Sequence, residues 1–320
     1  MTRFSIFSRI PCPRMARYFP IFHWLRFYSR RDLNGDLFAG VITAILLIPQ
    51  GIAYAMVAGL PVQMGLYASI LPPFFYALTG TSRVLSVGPV SIAAIMVLTA
   101  LSTPEVSALG NPMESAVILA AEGGIILLLM ALFRLGGIVK LISHPVLTGF
   151  TSGAAILIIL SQLSHVIGVQ FKSCEPELSC LATTLTNFNA TALLLAGTTL
   201  LIMLCFGKPL AYMLERLSFS EAIAVGLSKC APILAVFGTS TAVYWFDLNG
   251  LLNVAVVGDV PAGLPRLSLD FIGSPKWQML LPFSAMIALI AYIESVAISK
   301  VVANITRQKI DPNQELIALG

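Results

Sequence analysis

The fold is decided by the stretch from Gly35 to Ser91, which reads GDLFAGVITAILLIPQGIAYAMVAGLPVQMGLYASILPPFFYALTGTSRVLSVGPVS. Helix breakers interrupt its apolar runs, first at residues 49–51 and again, after a short turn, at residues 88–89. Helix breakers and polar residues persist at bilayer depth where the freed backbone groups face a cavity or a solute. The breaks therefore indicate a solute site inside the membrane rather than a plain anchor.

The composition places the chain among membrane proteins. Of its 320 residues, 57% are hydrophobic and 11% are charged, and the mean hydropathy is +0.89. A soluble domain carries about 25% charged residues. A spanning helix needs about 20 mostly apolar residues. On this basis we predict eight spans, at residues 37–57, 65–80, 84–101, 115–133, 139–168, 190–206, 221–246 and 278–300.

Basic residues predict the orientation of these spans, because Lys and Arg favour the cytoplasmic side. Threading the eight spans from an internal N-terminus places 15 of the 19 basic residues inside. Lys172, Arg266 and Lys276 fall outside, and Lys229 lies within a span. The net charge of +4 therefore follows from topology and gives no case for nucleic-acid binding. We expect a multi-pass protein of the cell (inner) membrane with a cytoplasmic N-terminus.

The chain is predicted to have two parts. Residues 1–34 are basic and aromatic, which is typical of an arm that lies on the cytoplasmic face of the bilayer. This arm lacks the compact apolar core and the cleavage site of a signal peptide. Residues 35–320 form the transmembrane domain, and the lipid bilayer is its expected surrounding.

Metal, cofactor and enzyme chemistry are not expected. The five cysteines form no metal-binding pattern, and no nucleotide-binding loop occurs. The polar residues of the predicted spans include no pair of nucleophile and base. Cys174 and Cys180 share a predicted external loop, where an oxidising compartment would allow a disulfide. The sequence leaves their pairing open.

Several motifs follow one another along the chain. They are DLNGDLFAG at 32–40, IPQGIAYA at 48–55, GLYAS at 65–69, GTSR at 80–83, FRLG at 133–136, ISHPVLTGFTSG at 142–153, VGDVPAGLP at 257–265 and DPNQEL at 311–316. In this order and spacing, they resemble the sulfate permease (SulP) family of anion transporters, which includes solute carrier family 26. The resemblance covers nearly all of the chain from about Arg31.

The resemblance implies an all-α polytopic fold with fourteen spans in two inverted repeats of seven, commonly followed by a cytoplasmic STAS domain. The chain would hold the first repeat, with a broken third span, and the start of the second repeat. We therefore expect the N-terminal portion of the transmembrane domain, without a STAS domain, as in a truncated product or a fragment. A homodimer is a further expectation from the family.

The family places its anion between the N-termini of its third and tenth spans, and the resemblance assigns Gln50, Tyr54, Pro89, Val90 and Ser91 to this site. A helix that starts near residues 90–91 would offer unpaired N–H groups and the positive end of its dipole. Ser91 and Gln50 would add donors, and Tyr54 follows Gln50 by one turn on the same face. The alternatives are a Gly-Pro kink in a packing helix, an interhelical bond for Gln50 and simple packing for Tyr54. Some relatives carry an aromatic residue in place of Val90.

Glu294 is the most informative polar residue of the last predicted span, because a charged carboxylate that faces lipid is energetically costly. The resemblance ties it to cation coupling. Ile298 replaces the hydroxyl residue of relatives thought to use sodium, which favours a proton. The alternative is an ion pair with Lys229. Glu122, in the fourth predicted span, is expected to lie at an interface between helices. The alternative is that it lines a polar seam.

The resemblance thus implies secondary active transport of an inorganic anion, and proton symport of sulfate is the favoured form. Chloride or bicarbonate exchange is the nearest alternative. A truncated fragment or membrane subunit that does not transport is the other alternative.

Overall fold

The computed structural model describes residues 19–25, 28–141, 144–168, 189–216, 227–228, 230–258, 260, 263 and 269–320. These residues form helices and connecting segments, without β-strands. The α-helices are α1 (Ile21–Leu25), α2 (Arg30–Val57), α3 (Val62–Thr79), α4 (Ser91–Leu101), α5 (Pro104–Ala108), α6 (Pro112–Leu132), α7 (His144–Ile167), α8 (Ala190–Phe206), α9 (Lys208–Arg216), α10 (Ala231–Trp245), α11 (Leu248–Leu252), α12 (Lys276–Thr306) and α13 (Pro312–Leu319). Two 3₁₀ helices cover Leu135–Leu141 and Asp270–Gly273. The all-α fold class is confirmed.

Three helices are long and apolar enough to cross a membrane among the residues that the structure describes. They are α2, α6 and the part of α12 from Lys276 to Ala303. The shorter apolar helices α4, α8 and α10 also fall within predicted spans. The threading of eight spans and the division into an arm and a membrane domain stay predictions.

The predicted third span, 84–101, is helical only from Ser91 onward. Residues 80–90 are not helical, and Gly80 and Val90 have extended backbone with ψ of 153° and 146°. Proline cannot donate to a helix and disfavours helical backbone in the residue before it, so Pro89 keeps α4 from starting earlier. The predicted break in the third span is thereby confirmed.

The predicted break at residues 49–51 does not interrupt α2, which runs through Pro49. A second helix lies against this point: a Cβ atom added at Gly65 of α3 would lie 1.9 Å from the carbonyl oxygen of Gly51. Such close backbone approach requires glycine on both sides. Membrane helices tolerate an internal proline where a neighbouring helix covers the freed backbone groups. Pro49 and Gly51 therefore lie inside one continuous helix, which contains the predicted first span 37–57.

The start of α2 is fixed by side chains. Ser29 and Asp32 form a capping box, in which each side chain binds the backbone N–H of the other residue. Tyr28 donates its hydroxyl to Asp36, with 2.6 Å between the oxygens. Partial burial and this bond raise the pKa of Tyr28 to about 12.

The described residues divide into two compact units. The first contains the described residues within Met1–Phe38, Gln50–Thr151 and Pro261–Gly320, and the second contains those within Ala39–Pro49 and Ser152–Val260. In the second unit, α8 packs against α9 and α10. Its N-cap, Asn189, accepts from the N–H groups of Thr191 and Ala192 and donates to the carbonyl of Leu252.

The core of the first unit is built on α6 and α12, which pack along their lengths. Glu114 pairs with Lys276 at 3.2 Å, and eight residues later Glu122 contacts Ser284, so the two helices are parallel. Two apolar clusters flank this pair. One contains Ala100, Val106, Ile118, Leu119 and Leu280, and the other contains Leu127, Ala131, Ala288, Tyr292, Val296 and Leu316.

Candidate functional site

The break before α4 ends in an open helix start. Val90 is the N-cap, with φ −124° and ψ 146°, and makes no side-chain capping bond. The first bond inside the helix runs from the Ala94 N–H to the Val90 carbonyl, at 3.0 Å. The predicted helix start near Val90 and Ser91 is confirmed. Pro89 lies one residue before the cap, so it ends the preceding segment rather than opening the helix.

Some helices in the described residues begin with a polar cap, whereas α3, α5, α10 and α12 begin, like α4, without a side-chain capping bond. Ser29, Asn111, Asn189 and Asp311 each accept from backbone N–H groups of the helix that follows. Valine has no acceptor for this purpose. The N–H groups of residues 91–93 therefore keep no acceptor among the described residues, and the positive end of the helix dipole is left open.

Gln50 and Tyr54 lie on one face of α2, as predicted. The side-chain amide of Gln50 donates to the Tyr54 hydroxyl oxygen, with 3.3 Å between the atoms. Gln50 is exposed and Tyr54 is half-buried. No hydrogen bond joins either side chain to Ser91 within the part of the chain that the structure describes. The first unit contains all three residues, and their shared role in anion binding stays a prediction.

The segment that leads into α4 is held by an acidic residue that sequence reasoning missed. Glu315 of α13 is fully buried. One carboxylate oxygen accepts from the Tyr76 hydroxyl at 2.7 Å. The other accepts from the Thr81 N–H at 2.9 Å and from the Thr81 hydroxyl. Glu315 lies in the DPNQEL motif, so the motif carried the signal, but its contacts are far apart in sequence.

Further bonds tie the same two segments together. The Arg83 N–H donates to Gln308 at 3.5 Å, and the Asp311 N–H donates to the Thr81 hydroxyl oxygen at 3.4 Å. The side-chain amide of Gln314 donates to the Thr79 carbonyl at 2.8 Å. The non-helical stretch before α4 is thus attached to residues 308–315 at several points.

Glu294 lies in α12 and is half-buried. It makes no hydrogen bond or ion pair with the residues that the structure describes. Its alternative partner, Lys229, lies outside the described residues, as do Cys174, Cys180 and the side chain of His144. Ile298, one turn later, offers no oxygen ligand. For Glu122 the expected helix interface is confirmed, because Ser284 of α12 contacts it.

Comparison with known proteins now identifies the fold. A family model described as "Sulfate permease family" matches residues 33–320. The chain belongs to the sulfate permease family. The resemblance drawn from the motifs is thereby confirmed, and the proteins of this family named below are transporters rather than enzymes.

Two curated relatives show how much of a family protein the chain represents. It is 34% identical over 307 residues to the chloroplastic sulfate transporter 4.1 of Arabidopsis thaliana, covering 94% of this chain and 43% of the relative. It is 35% identical over 316 residues to a probable sulfate transporter of Mycobacterium tuberculosis, covering 97% and 53%. The chain therefore spans about half the length of these relatives.

Solved structures show the same membrane fold. The murine Solute Carrier 26 family member A9 anion transporter matches with a TM-score of 0.75 at 19% identity, over 99% of this chain and 54% of that one. The transmembrane domain of the cyanobacterial bicarbonate transporter BicA matches with a TM-score of 0.70 at 23% identity, over 91% and 71%. The chain is therefore a multi-pass membrane protein.

Proposed function

We propose that the chain is part of a secondary active transporter of inorganic anions, with sulfate as substrate and a proton as the coupling ion. The observation that carries this proposal is the start of α4, where Val90 leaves backbone N–H groups without a capping side chain. Such groups, with the helix dipole behind them, bind anions without a fixed cation. The names of the relatives favour sulfate among the anions.

The rest of the anion site is proposed to come from side chains with free donor hydrogens. The bond between Gln50 and Tyr54 uses one amide hydrogen of Gln50. It leaves the second amide hydrogen and the Tyr54 hydroxyl hydrogen for an oxyanion. Ser91 adds a hydroxyl at the first turn of α4. Pro89 has no N–H to donate and disfavours helical backbone in the residue before it, so α4 begins only after Val90.

Glu294 is proposed to carry the coupling proton. A carboxylate without a partner inside a membrane protein is stable when it is protonated or reached by water, and exchange between these states links proton movement to transport. Ile298 supplies no hydroxyl for a sodium ion. The Glu294→Gln variant should retain sulfate binding and lose the dependence of uptake on a proton gradient.

The proposed setting is the cell (inner) membrane, with a cytoplasmic N-terminus, eight spans in this chain and a homodimeric assembly. Parallel packing of α6 and α12 supports the threading, which requires the fourth and eighth spans to run in the same direction. An exposed aromatic run at the end of α10, Tyr244–Phe246, is typical of the boundary between lipid and water.

Uptake of labelled sulfate tests the function. The protein, expressed from its complete reading frame in cells that lack their own permeases, should give saturable uptake that rises with an inward proton gradient. Exchange of chloride or bicarbonate without a response to the gradient would favour the second form of transport. Absence of any anion flux from correctly inserted protein would instead favour a subunit that does not transport.

A further inference from the structure

The contact between α6 and α12 contains a buried acid outside the proposed anion site. Glu122 is 3% exposed and Ser284 is fully buried. The neighbouring Gly123 packs toward α12, since a Cβ atom added there would lie 3.8 Å from the Cβ of Ala288. Apolar clusters lie on both sides along the helix pair. Glu122 therefore sits in surroundings that strongly disfavour a charge.

The hydrogens available at this contact determine the protonation state of Glu122. The Ser284 hydroxyl oxygen lies 3.1 Å from the Leu280 carbonyl, one turn earlier, and within hydrogen-bonding distance of Glu122 Oε2. A serine hydroxyl has one hydrogen to donate. Helical hydroxyls elsewhere donate to the carbonyl four residues earlier, as Thr99 and Thr239 do. If Ser284 does the same, the hydrogen between Ser284 and Glu122 must belong to Glu122.

An ionised Glu122 would have little to stabilise it. Its second oxygen, Oε1, is buried and has no hydrogen-bond partner in the described part of the chain. Lys276 is the basic residue of the same helix interface, but it lies two turns away. Its ammonium group binds Glu114 and the carbonyls of Gly110 and Asn111. A buried carboxylate without a cation or a full set of donors is strongly disfavoured, whereas a neutral acid leaves only a carbonyl oxygen unpaired.

The other titratable groups on the elements that pack against α6 and α12 do not make an ionised Glu122 more favourable. They are Glu105 in α5, Lys140 and Asp270 in the 3₁₀ helices, Tyr292, Glu294 and Lys300 in α12, and Asp311 and Glu315 at α13. Helix α4 contributes none. The side chains of Lys140 and Asp270 lie outside the described residues, and none of the others bonds to Glu122. The carboxylate of Glu315 accepts hydrogen bonds from Tyr76 and Thr81.

We propose that Glu122 and Ser284 form a proton-binding site distinct from Glu294, in which Glu122 stays a carboxylic acid at neutral pH and ties α6 to α12. The proton holds two parallel helices of the first unit together. Glu122 would then have a structural role, whereas Glu294 is proposed to carry the coupling proton.

Infrared difference spectroscopy tests the protonation state directly. The full chain in lipid vesicles is compared with Glu122→Gln at neutral pH. We expect the difference spectrum to lose the carbonyl stretch of a protonated carboxylic acid, a band that carboxylates lack. The matched control is Glu114→Gln on the same helix, whose loss should remove carboxylate bands, because Glu114 pairs with Lys276. Loss of carboxylate bands alone in Glu122→Gln would overturn the proposal.

Thermal unfolding against pH gives a second readout. Glutamine keeps a neutral donor toward Ser284, so Glu122→Gln should unfold at the parental temperature near pH 4, where Glu122 is protonated in both the folded and the unfolded protein. An unfolded glutamate ionises above about pH 4.3, so the parent loses stability as the pH rises from there until the buried acid itself ionises. At neutral pH the parent should therefore unfold a few degrees below the glutamine variant. Parallel pH profiles for both proteins would contradict a buried proton.

A third variant keeps the proposal testable if Glu122→Gln fails to fold. Ser284→Ala removes the hydroxyl that accepts the proposed hydrogen but leaves the acid in place. The protonated-acid band should persist and move to higher frequency, because the carbonyl bond of a carboxylic acid is stiffer when its O–H group does not donate a hydrogen bond. An unchanged band position would show that Glu122 does not donate to Ser284.

Discussion

Two helices of the first unit begin differently, one without a capping side chain and one with a capping carboxylate. Helix α4 begins after Val90, which has no capping side chain. Helix α13 begins after Asp311, whose carboxylate accepts from the N–H groups of Asn313 and Gln314 at 2.9 and 3.4 Å. Glu315 then adds a second, fully buried carboxylate to the first turn of α13.

We propose that the fold uses these two helix ends for different purposes. The carboxylate of Asp311 closes the start of α13 from within the chain, and the helix becomes an anchor for the segment around Thr81. The start of α4 is left without an internal acceptor and can take an external one. An anion site therefore needs the absence of a capping side chain as much as the presence of donors.

The largest effect is expected when a capping side chain is introduced at the uncapped start of α4. In Val90→Asp, the new carboxylate would accept from the free N–H groups and place a negative charge where the anion binds. Sulfate affinity should fall at least ~1,000-fold, since like charges in close contact cost several kcal/mol. Equilibrium binding of labelled sulfate to the purified protein measures this.

Two comparisons make the Val90 result specific. Val90→Asn caps the helix without a charge, so it should cost less affinity than Val90→Asp. Both variants should remain folded, because a polar cap contributes about 1 kcal/mol to helix stability. Parental sulfate affinity in Val90→Asp would mean that the anion does not bind at the start of α4.

The next effect concerns the anchor. Glu315→Ala leaves the Tyr76 hydroxyl and both Thr81 donors without their acceptor. Unpaired buried donors cost about 1–3 kcal/mol each when they find no water, so we expect a loss of about 3 kcal/mol in unfolding free energy. Denaturant titration in detergent measures it. Glu315→Gln keeps an acceptor for Thr81 and should lose less; equal losses in the two variants would refute the role of the Thr81 contacts.

A smaller effect is expected at the cap of α13. Asp311→Ala should lower the unfolding free energy by about 1 kcal/mol, the usual contribution of an N-cap acceptor. The same denaturant titration applies. Val90→Ala is the matched control at α4, since it removes no capping bond. If Asp311→Ala costs no more than Val90→Ala, the two helix starts do not differ in the way proposed.

Local signals predicted the open helix start well and the anchor poorly. Proline and glycine at residues 88–89 act on their own backbone, so a helix start near Val90 follows from the sequence. The continuity of α2 through Pro49 did not follow from the sequence, because the close approach of Gly65 to Gly51 depends on a second helix. The Glu315 contacts join residues more than 200 positions apart, and no pattern of spacing encodes such a pairing. Sequence therefore predicted the helix start but not the contacts that hold the segment before it.

The smallest effect is expected for a single donor at the open start. Ser91→Ala removes one hydroxyl and leaves the backbone N–H groups in place, so sulfate affinity should fall about five-fold, equivalent to about 1 kcal/mol. Ser107→Ala, at an exposed position in α5, is the control and should bind sulfate like the parent. A drop as large as that of Val90→Asp would mean that the hydroxyl dominates binding. The contrast between the two helix starts would then rest on a side chain, because the uncapped backbone would contribute little.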